Sequence, residues 1–576
     1  MAWVVTSRIG SSVDGGRLRG RTCRPRPRAS RCPLASAARI PPHHRGVPVS
    51  TPAALPLDLL LAGGTVVDGT GAAPVRADVG VRGGRIVHVG PTPPSMAAGA
   101  ARVSDVTGLT VTPGFIDLHS HADFTVLDTP DAEACLRQGV TTLVTGNCGL
   151  STFPYPDAAV GTPGQWRDLA GFGAAVAAAR PAVSIAPLVG HGALRAAVLG
   201  DERRTATDEE LATMRALLAT AAEQGAQGLS TGLIYAPGSF ADPREIVDLA
   251  TETAAHGLLY ATHMRDEGDA LLEAVGEALT VGGASGVRLQ VSHLKAMGPA
   301  NHGKVKAALA LIDEAAADGV DVACDVYPYT ASSTRLTSRL PQWAMDGGSG
   351  ALLERLAAPE ARKRILADVR RNVGRTFLPE GVIIAQVLPG PYSDRAGDSI
   401  ADIARDENVE PAEAVLRVLA AHSGEALLVN HAMAEDDVGT VLRYPGSCVA
   451  SDGWVLHAPG DGHPHPRNFG TFARVVGRYV RDRRILELAE AVRKMTSLPA
   501  SRLDLPDRGT LAPGQVADIA VLDPARVSDT STFNSPWQYA VGVRDVYVAG
   551  EPVLADGRAT ELRPGRMLLR TPGLPA

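Results

Sequence analysis

Aromatic side chains make up only 4% of the 576 residues, and there are only six cysteines. Six scattered thiols in so long a chain are no disulfide scaffold and suit a reducing compartment, so a cytoplasmic location is expected. No apolar run approaches the roughly 18 to 20 residues that a membrane-spanning helix needs, which excludes a helical integral membrane protein. A net charge of -6 gives no global attraction to nucleic acid. With 61 Gly and 42 Pro the chain also falls short of low complexity. What remains is ordinary globular material, 45% hydrophobic and 20% charged. At roughly 100 to 200 residues per domain, its length allows two to four domains or one large barrel with attachments.

The charge is unevenly placed. Residues 1–50 carry ten Arg and a single acid, Asp14, a net charge of +9, which leaves -15 for residues 51–576. This leader is rich in Arg, Gly, Pro and Ser and has no apolar core, so it is not a secretory signal and is expected to be disordered. A start site set too far upstream is the preferred origin, which would leave the leader outside the native protein. A transit peptide or basic tether is the alternative.

From residue 57 the text becomes short alternating β-type runs separated by glycines: LDLLLAGGTVVDGTG, ADVGVRGGRIVHVG, ARVSDVTGLTVTPG. The far end repeats this texture in RGTLAPGQVADIAVLDP and VRDVYVAGEPVLADGR. Residues 51–112 and 500–576 are therefore expected to pair into a small β-sandwich.

Between them, residues 113–499 alternate short apolar strands with helical text such as DEELATMRALLATAAEQGA (208–226) and REIVDLATETAAHG (244–257). Such alternation indicates parallel βαβ units. Eight strands can be counted: 114–121, 141–149, 184–192, 226–234, 258–263, 287–293, 320–329 and 447–453. Eight closes a (β/α)8, TIM-like barrel, so the expected fold class is α/β. The long span between the seventh and eighth strands contains helical text, and an inserted lid or subdomain is expected around 337–440.

The active site of such a barrel lies where its strands end. Strand one ends in His119 and His121, strand two in Cys148, strand five in His263, strand six in His293 and strand eight in Asp452. Each residue alone is ordinary; a second HxH, His463 and His465, lies in a proline-rich loop and serves as a control. As a set at strand tips they point to a metal centre, since imidazole, thiolate and carboxylate are the three kinds of zinc ligand. Cys148, His263 and His293 would hold one Zn²⁺ and leave its fourth position open, as a catalytic zinc requires. His119 and His121 would hold a second, weaker metal or hydrogen-bond a water. Asp452 would serve as the base. Cys135, Cys324 and Cys448 read as buried small residues.

PGFIDLHSH at strand one, the single His at strands five and six, SDG at strand eight and RGTLAPGQVADIAVLD near the end together resemble the amidohydrolase superfamily, over roughly residues 57–560. Strand four, QGLSTGL, has no lysine to carboxylate, unlike most hydantoinase-like and dihydroorotase-like members. TGNCG, LVGHGALR, GLSTGLIYAPG, THMRDE, SHLK, DVYPYTASST and HPRNFGTFARV resemble instead the D-aminoacylase, or N-acyl-D-amino-acid deacylase, family. That resemblance implies zinc-dependent hydrolysis of small N-acyl-D-amino acids. It further implies that Lys295, Tyr327, Ser333 and Arg467 bind the substrate carboxylate. Cyclic amides or D-dipeptides are the neighbouring alternatives, and a non-catalytic scaffold is the remote one.

Overall fold

Eight parallel strands form the centre of the computed structural model, which describes residues 56–155 and 164–570. The basic leader lies outside the described residues. The barrel strands are β1 (Phe115–Asp117), β2 (Val140–Thr145), β3 (Ser184–Gly190), β4 (Gly228–Gly232), β5 (Leu259–His263), β6 (Arg288–Val291), β7 (Val322–Val326) and β8 (Ser447–Val449). They pair in chain order, each parallel to the next. The seam between β1 and β8 closes just beyond the strand ends, where the Asp452 amide donates to the His119 carbonyl and the His121 amide to the Gly453 carbonyl, both at 2.8 Å. Seven of the eight strands lie within the segments expected from the sequence, and β2 begins one residue ahead of its segment, at Val140.

These strands read as continuous apolar runs because both faces are covered, the inner by side chains from across the barrel and the outer by helices. The text at 208–226 forms a helix over Asp208–Glu223, started by a capping box in which Thr207 and Glu210 exchange hydrogen bonds. The text at 244–257 forms a helix over Pro243–Ala255, capped by Asp242.

The terminal segments interleave in one nine-stranded sheet, in which Thr110–Pro113 pairs antiparallel with Ile519–Leu522 and parallel with Leu59–Val66. The sheet turns back on itself. The edge strand Arg85–Gly90 returns to residues 514–517, with the Ile86 amide donating to the Gln515 carbonyl at 2.9 Å. Leu59, Leu61, Val79, Val81, Ile519 and Val521 pack together inside.

Between β7 and β8 the chain builds a three-stranded antiparallel sheet from Ala331–Arg335, Val382–Val387 and Ala426–His431, with the last in the middle. Four helices, Gly348–Ala357, Pro359–Asn372, Ile400–Asp406 and Pro411–Ala421, accompany it. This segment has a core of its own, around Leu336, Leu352, Ile365, Ile384, Val415 and Leu428. Its first strand leaves β7 directly and so lies beside the barrel mouth.

Candidate active site

At the barrel mouth the structure brings together His119, His121, Cys148, His263, His293 and Asp452, all buried. Cys148 Sγ is central: His119 Nε2 lies 3.2 Å from it, His293 Nε2 3.4 Å and His263 Nδ1 3.5 Å. Asp452 Oδ1 lies 3.1 Å from His121 Nε2 and 3.5 Å from His119 Nε2. Two donor groups result, His119, His121, Cys148 and Asp452 in one, and Cys148, His263 and His293 in the other, with the ligand atoms of each within 4.8 Å of one another. Cys148 belongs to both.

The backbone is bent to make this convergence. Cys148, His293 and Asp452 all have left-handed φ, at 55°, 35° and 50°. Such values are uncommon outside glycine and persist only where surroundings over-determine them. The loop carrying Cys148 is pressed between the ends of β3 and β4. A Cβ on Gly232 would lie 2.0 Å from the Cys148 carbonyl oxygen, and one on Gly190 would lie 2.6 Å from that of Gly149. Ser230 on β4 fastens the loop by accepting from the Gly149 amide at 2.9 Å and donating to the Gly146 carbonyl. The strand without a lysine therefore anchors the cysteine loop.

Burial disfavours charge on Cys148, but facing imidazolium groups, His119 foremost, outweigh it and hold the thiol well below its ordinary range. Burial likewise opposes charge on His119, and the Cys148 thiolate and Asp325 overcome it, raising His119 well above the usual imidazole value. His121 is pushed up to about 9, its burial outweighed by Asp452 and Cys148. His263 is lowered, chiefly by burial. Asp452 is held well below the carboxylate range despite burial, Arg467 being the main cause.

These shifts favour a thiolate at Cys148 and protons on His119 and His121, but not on His263. A divalent cation would replace those protons, and a set of imidazole nitrogens, one thiolate and one carboxylate matches a borderline-soft metal.

The four residues assigned to the substrate carboxylate line one side of the site. The Tyr327 ring lies between two cations, with Arg467 5.0 Å and Lys295 5.6 Å from its centroid. Arg467 donates to Asp452 Oδ2 at 2.7 Å and to the Ser333 carbonyl at 3.1 Å, so Ser333 meets the site through its backbone. Lys295 Nζ pairs with Glu267 Oε1 and lies 2.8 Å from His293 Nδ1. Neither cation waits free: each is already held by a carboxylate.

Sequence reasoning missed the carboxylates behind the histidines. Glu267 lies 3.1 Å from His293 Nδ1 and 3.6 Å from His263 Nε2. Asp325 accepts from the His293 amide at 2.7 Å and faces His119 Nδ1 at 3.5 Å. Such partners orient imidazole ligands and fix their tautomers. The strand-tip rule extended to β7 would have found Asp325, and the four-residue spacing from His263 marks Glu267. His465 of the control pair is part of the wall: buried against Tyr327, Tyr329 and Phe533, it accepts from the Arg467 amide at 3.0 Å. His463 faces the Phe533 carbonyl. Cys135, Cys324 and Cys448 are buried free thiols.

Residues 102–554 match the family model described as the amidohydrolase family. The D-aminoacylase of Alcaligenes xylosoxydans xylosoxydans is 39% identical over 525 residues, covering 90% of this chain and 98% of that protein. An N-acyl-D-glutamate deacylase structure from Bordetella bronchiseptica, complexed with zinc and a phosphonate mimic of the tetrahedral intermediate, superposes with a TM-score of 0.75 at 37% identity, covering 89% of this chain and 100% of that one. A D-aminoacylase structure with a binuclear metal centre, showing one-metal activation and second-metal attenuation, gives a TM-score of 0.76 at 38% identity, with the same coverage.

Proposed function

The chain belongs to the amidohydrolase family, and from that premise we propose that it hydrolyses N-acyl-D-amino acids to a carboxylic acid and a D-amino acid. The observation that carries this reading is the buried Cys148 Sγ, ringed by three imidazole nitrogens within 3.5 Å, with the Asp452 carboxylate beside it. Cys148, His263 and His293 would hold one zinc ion tightly, and His119 and His121 a second, weaker one. Zinc so bound supplies Lewis acidity to the acyl carbonyl and makes a water more acidic.

The remaining chemistry falls to the chain itself. Asp452, kept ionised by Arg467, removes the proton of the attacking water and returns it to the departing nitrogen. Arg467, Lys295, Tyr327 and Ser333 hold the substrate carboxylate. Cations already seated on carboxylates are rigid, so a bound substrate finds them fixed in place. A fixed carboxylate clamp allows only one hand of the amino acid to offer its acyl carbonyl to the metal side.

We assign the described parts of residues 51–112 and 500–576 to one sandwich domain and those of 113–499 to the barrel; the lid-like insertion expected around 337–440 takes its first strand from Ala331–Arg335, a few residues earlier. Among the described residues no helix is long and apolar enough to cross a membrane. Among the described residues the four cysteines are buried and in no disulfide, which supports a reducing, cytoplasmic location.

The test is turnover of N-acetyl-D-methionine, its L-enantiomer and N-acetyl-D-glutamate, with zinc quantified on the same preparation. D-selective amine release with at least one zinc per chain is expected. Bound zinc without turnover of any of the three, together with opening of a hydantoin, would replace this reading by a cyclic amidase.

A further inference from the structure

Asp117 ends β1, is 2% exposed, and has no part in the chemistry above. Its carboxylate reaches across the seam between β1 and β8. Oδ1 accepts from the Ser451 amide at 2.9 Å, and Oδ2 accepts from the Ser451 hydroxyl at 2.5 Å. That hydroxyl oxygen accepts in turn from the Gly453 amide at 2.9 Å. A longer contact, 3.4 Å, brings the His119 amide to the same Oδ1. Asp452 therefore sits between Ser451, which the Asp117 carboxylate holds, and Gly453, which the Ser451 hydroxyl holds, while its own amide donates to the His119 carbonyl.

The bracketed residue is the one with φ of 50°. An L-residue is strained in the left-handed region, so the turn needs outside support to persist. Crowding completes the enclosure. A Cβ on Gly453 would lie 2.9 Å from Asn468 Oδ1 and 3.0 Å from Ser451 Oγ, and that same Asn468 oxygen accepts from the Trp454 amide at 2.8 Å.

We propose that Asp117 is a positioning residue for the proton-transferring carboxylate: acting through Ser451, it holds the 451–453 turn in the backbone shape that aims Asp452 at the Cys148 cluster. The proposal rests on the reading of Asp452 as the base. A displacement of about 1 Å at a reacting group costs on the order of 10²-fold in rate, which sets the size of effect to look for.

The experiment compares kcat, KM, zinc content and thermal stability of the full-length zinc enzyme with Asp117→Asn, Ser451→Ala and Ser451→Thr, using the best N-acyl-D-amino acid. Asp117→Asn is expected to lower kcat by about 30- to 100-fold, with KM within about threefold and zinc retained. Ser451→Ala should lose about tenfold, and Ser451→Thr, which keeps the hydroxyl, should recover to within about threefold of wild type. Should Asp117→Asn not fold, the Ser451 pair carries the test. Because the effect passes through Asp452, adding Asp117→Asn to Asp452→Asn should cost the residual rate nothing more. An unchanged kcat in Asp117→Asn with lowered stability, or the same fractional loss with and without Asp452, overturns the positioning role and leaves the deacylase reading intact. A wild type that turns over no N-acyl-D-amino acid overturns both.

Discussion

Arg467 Nη1 donates to Asp452 Oδ2 at 2.7 Å in a pair buried on both sides. The guanidinium holds the carboxyl low against the burial that would raise it. A base works only when ionised, so Arg467 sets how far into acid the enzyme stays active. In Arg467→Met the Asp452 pKa rises, and the acid limb of the kcat/KM profile moves to higher pH. Activity is then lost earlier as pH falls, and KM rises with the loss of a substrate cation. An acid limb that stays in place in Arg467→Met would separate the pair from the chemistry.

Cys148 is shared by both donor groups, whereas His121 belongs to one and His263 to the other. Cys148→Ser should therefore empty the centre, with zinc falling below a tenth of wild-type occupancy (~10-fold or more in affinity) and activity by about 10³-fold or more. His121→Ala should keep the zinc bound by Cys148, His263 and His293. Metal analysis after gel filtration, run beside the activity assay, distinguishes these outcomes.

Metal removal leaves His119 and His121 protonated at neutral pH, since both are raised, His121 to about 9. Zinc must displace those protons. The sign follows: apparent zinc affinity for the apoprotein rises with pH through the region below about 9 and weakens as pH falls. Titration calorimetry in two buffers of different ionisation enthalpy should show net proton release at about pH 7.5, and equal heats in both buffers would contradict the protonated cluster.

The barrel and the cluster of donors that could hold a metal are legible in the sequence because both are written locally. Strands buried on two faces give short apolar runs, and ligands at strand tips fall directly after them, as with His263 after LLYAT and Cys148 after TTLVTGN. The outer carboxylates are harder to read because their meaning depends on pairing between distant segments. Asp117 meets Ser451 across 334 positions, and Asp325 meets the His293 amide across 32. Nothing within either motif announces the other. The same holds for the proposed substrate wall, where nothing in SHLK or HPRNFG announces that Lys295 pairs with Glu267 and Arg467 with Asp452. The three-stranded sheet of the insertion is hidden for a related reason: its central strand, Ala426–His431, comes last in sequence.

Two glycines separate conformational cost from steric cost. Gly276 lies inside the helix Leu271–Ser285, where an added Cβ would have nothing within 4 Å, so Gly276→Ala should stabilise the protein by about 0.5 to 1 kcal/mol, by reducing the freedom of the unfolded chain. Gly232 ends β4 beneath the cysteine loop, where a Cβ would meet the Cys148 carbonyl oxygen at 2.0 Å and its carbonyl carbon at 2.8 Å. Both atoms are backbone and cannot swing aside, so Gly232→Ala must push the loop away from β4. Cys148 then leaves His263 and His293, and the loss falls first on zinc occupancy and activity. The overpacking itself costs about 1 to 3 kcal/mol. Thermal melts with and without chelator test the coupling: chelation should lower the wild-type melting temperature and barely move that of Gly232→Ala, which has already lost the metal's contribution. An equal chelator effect in the two proteins would show that the loop can shift while still delivering its thiolate.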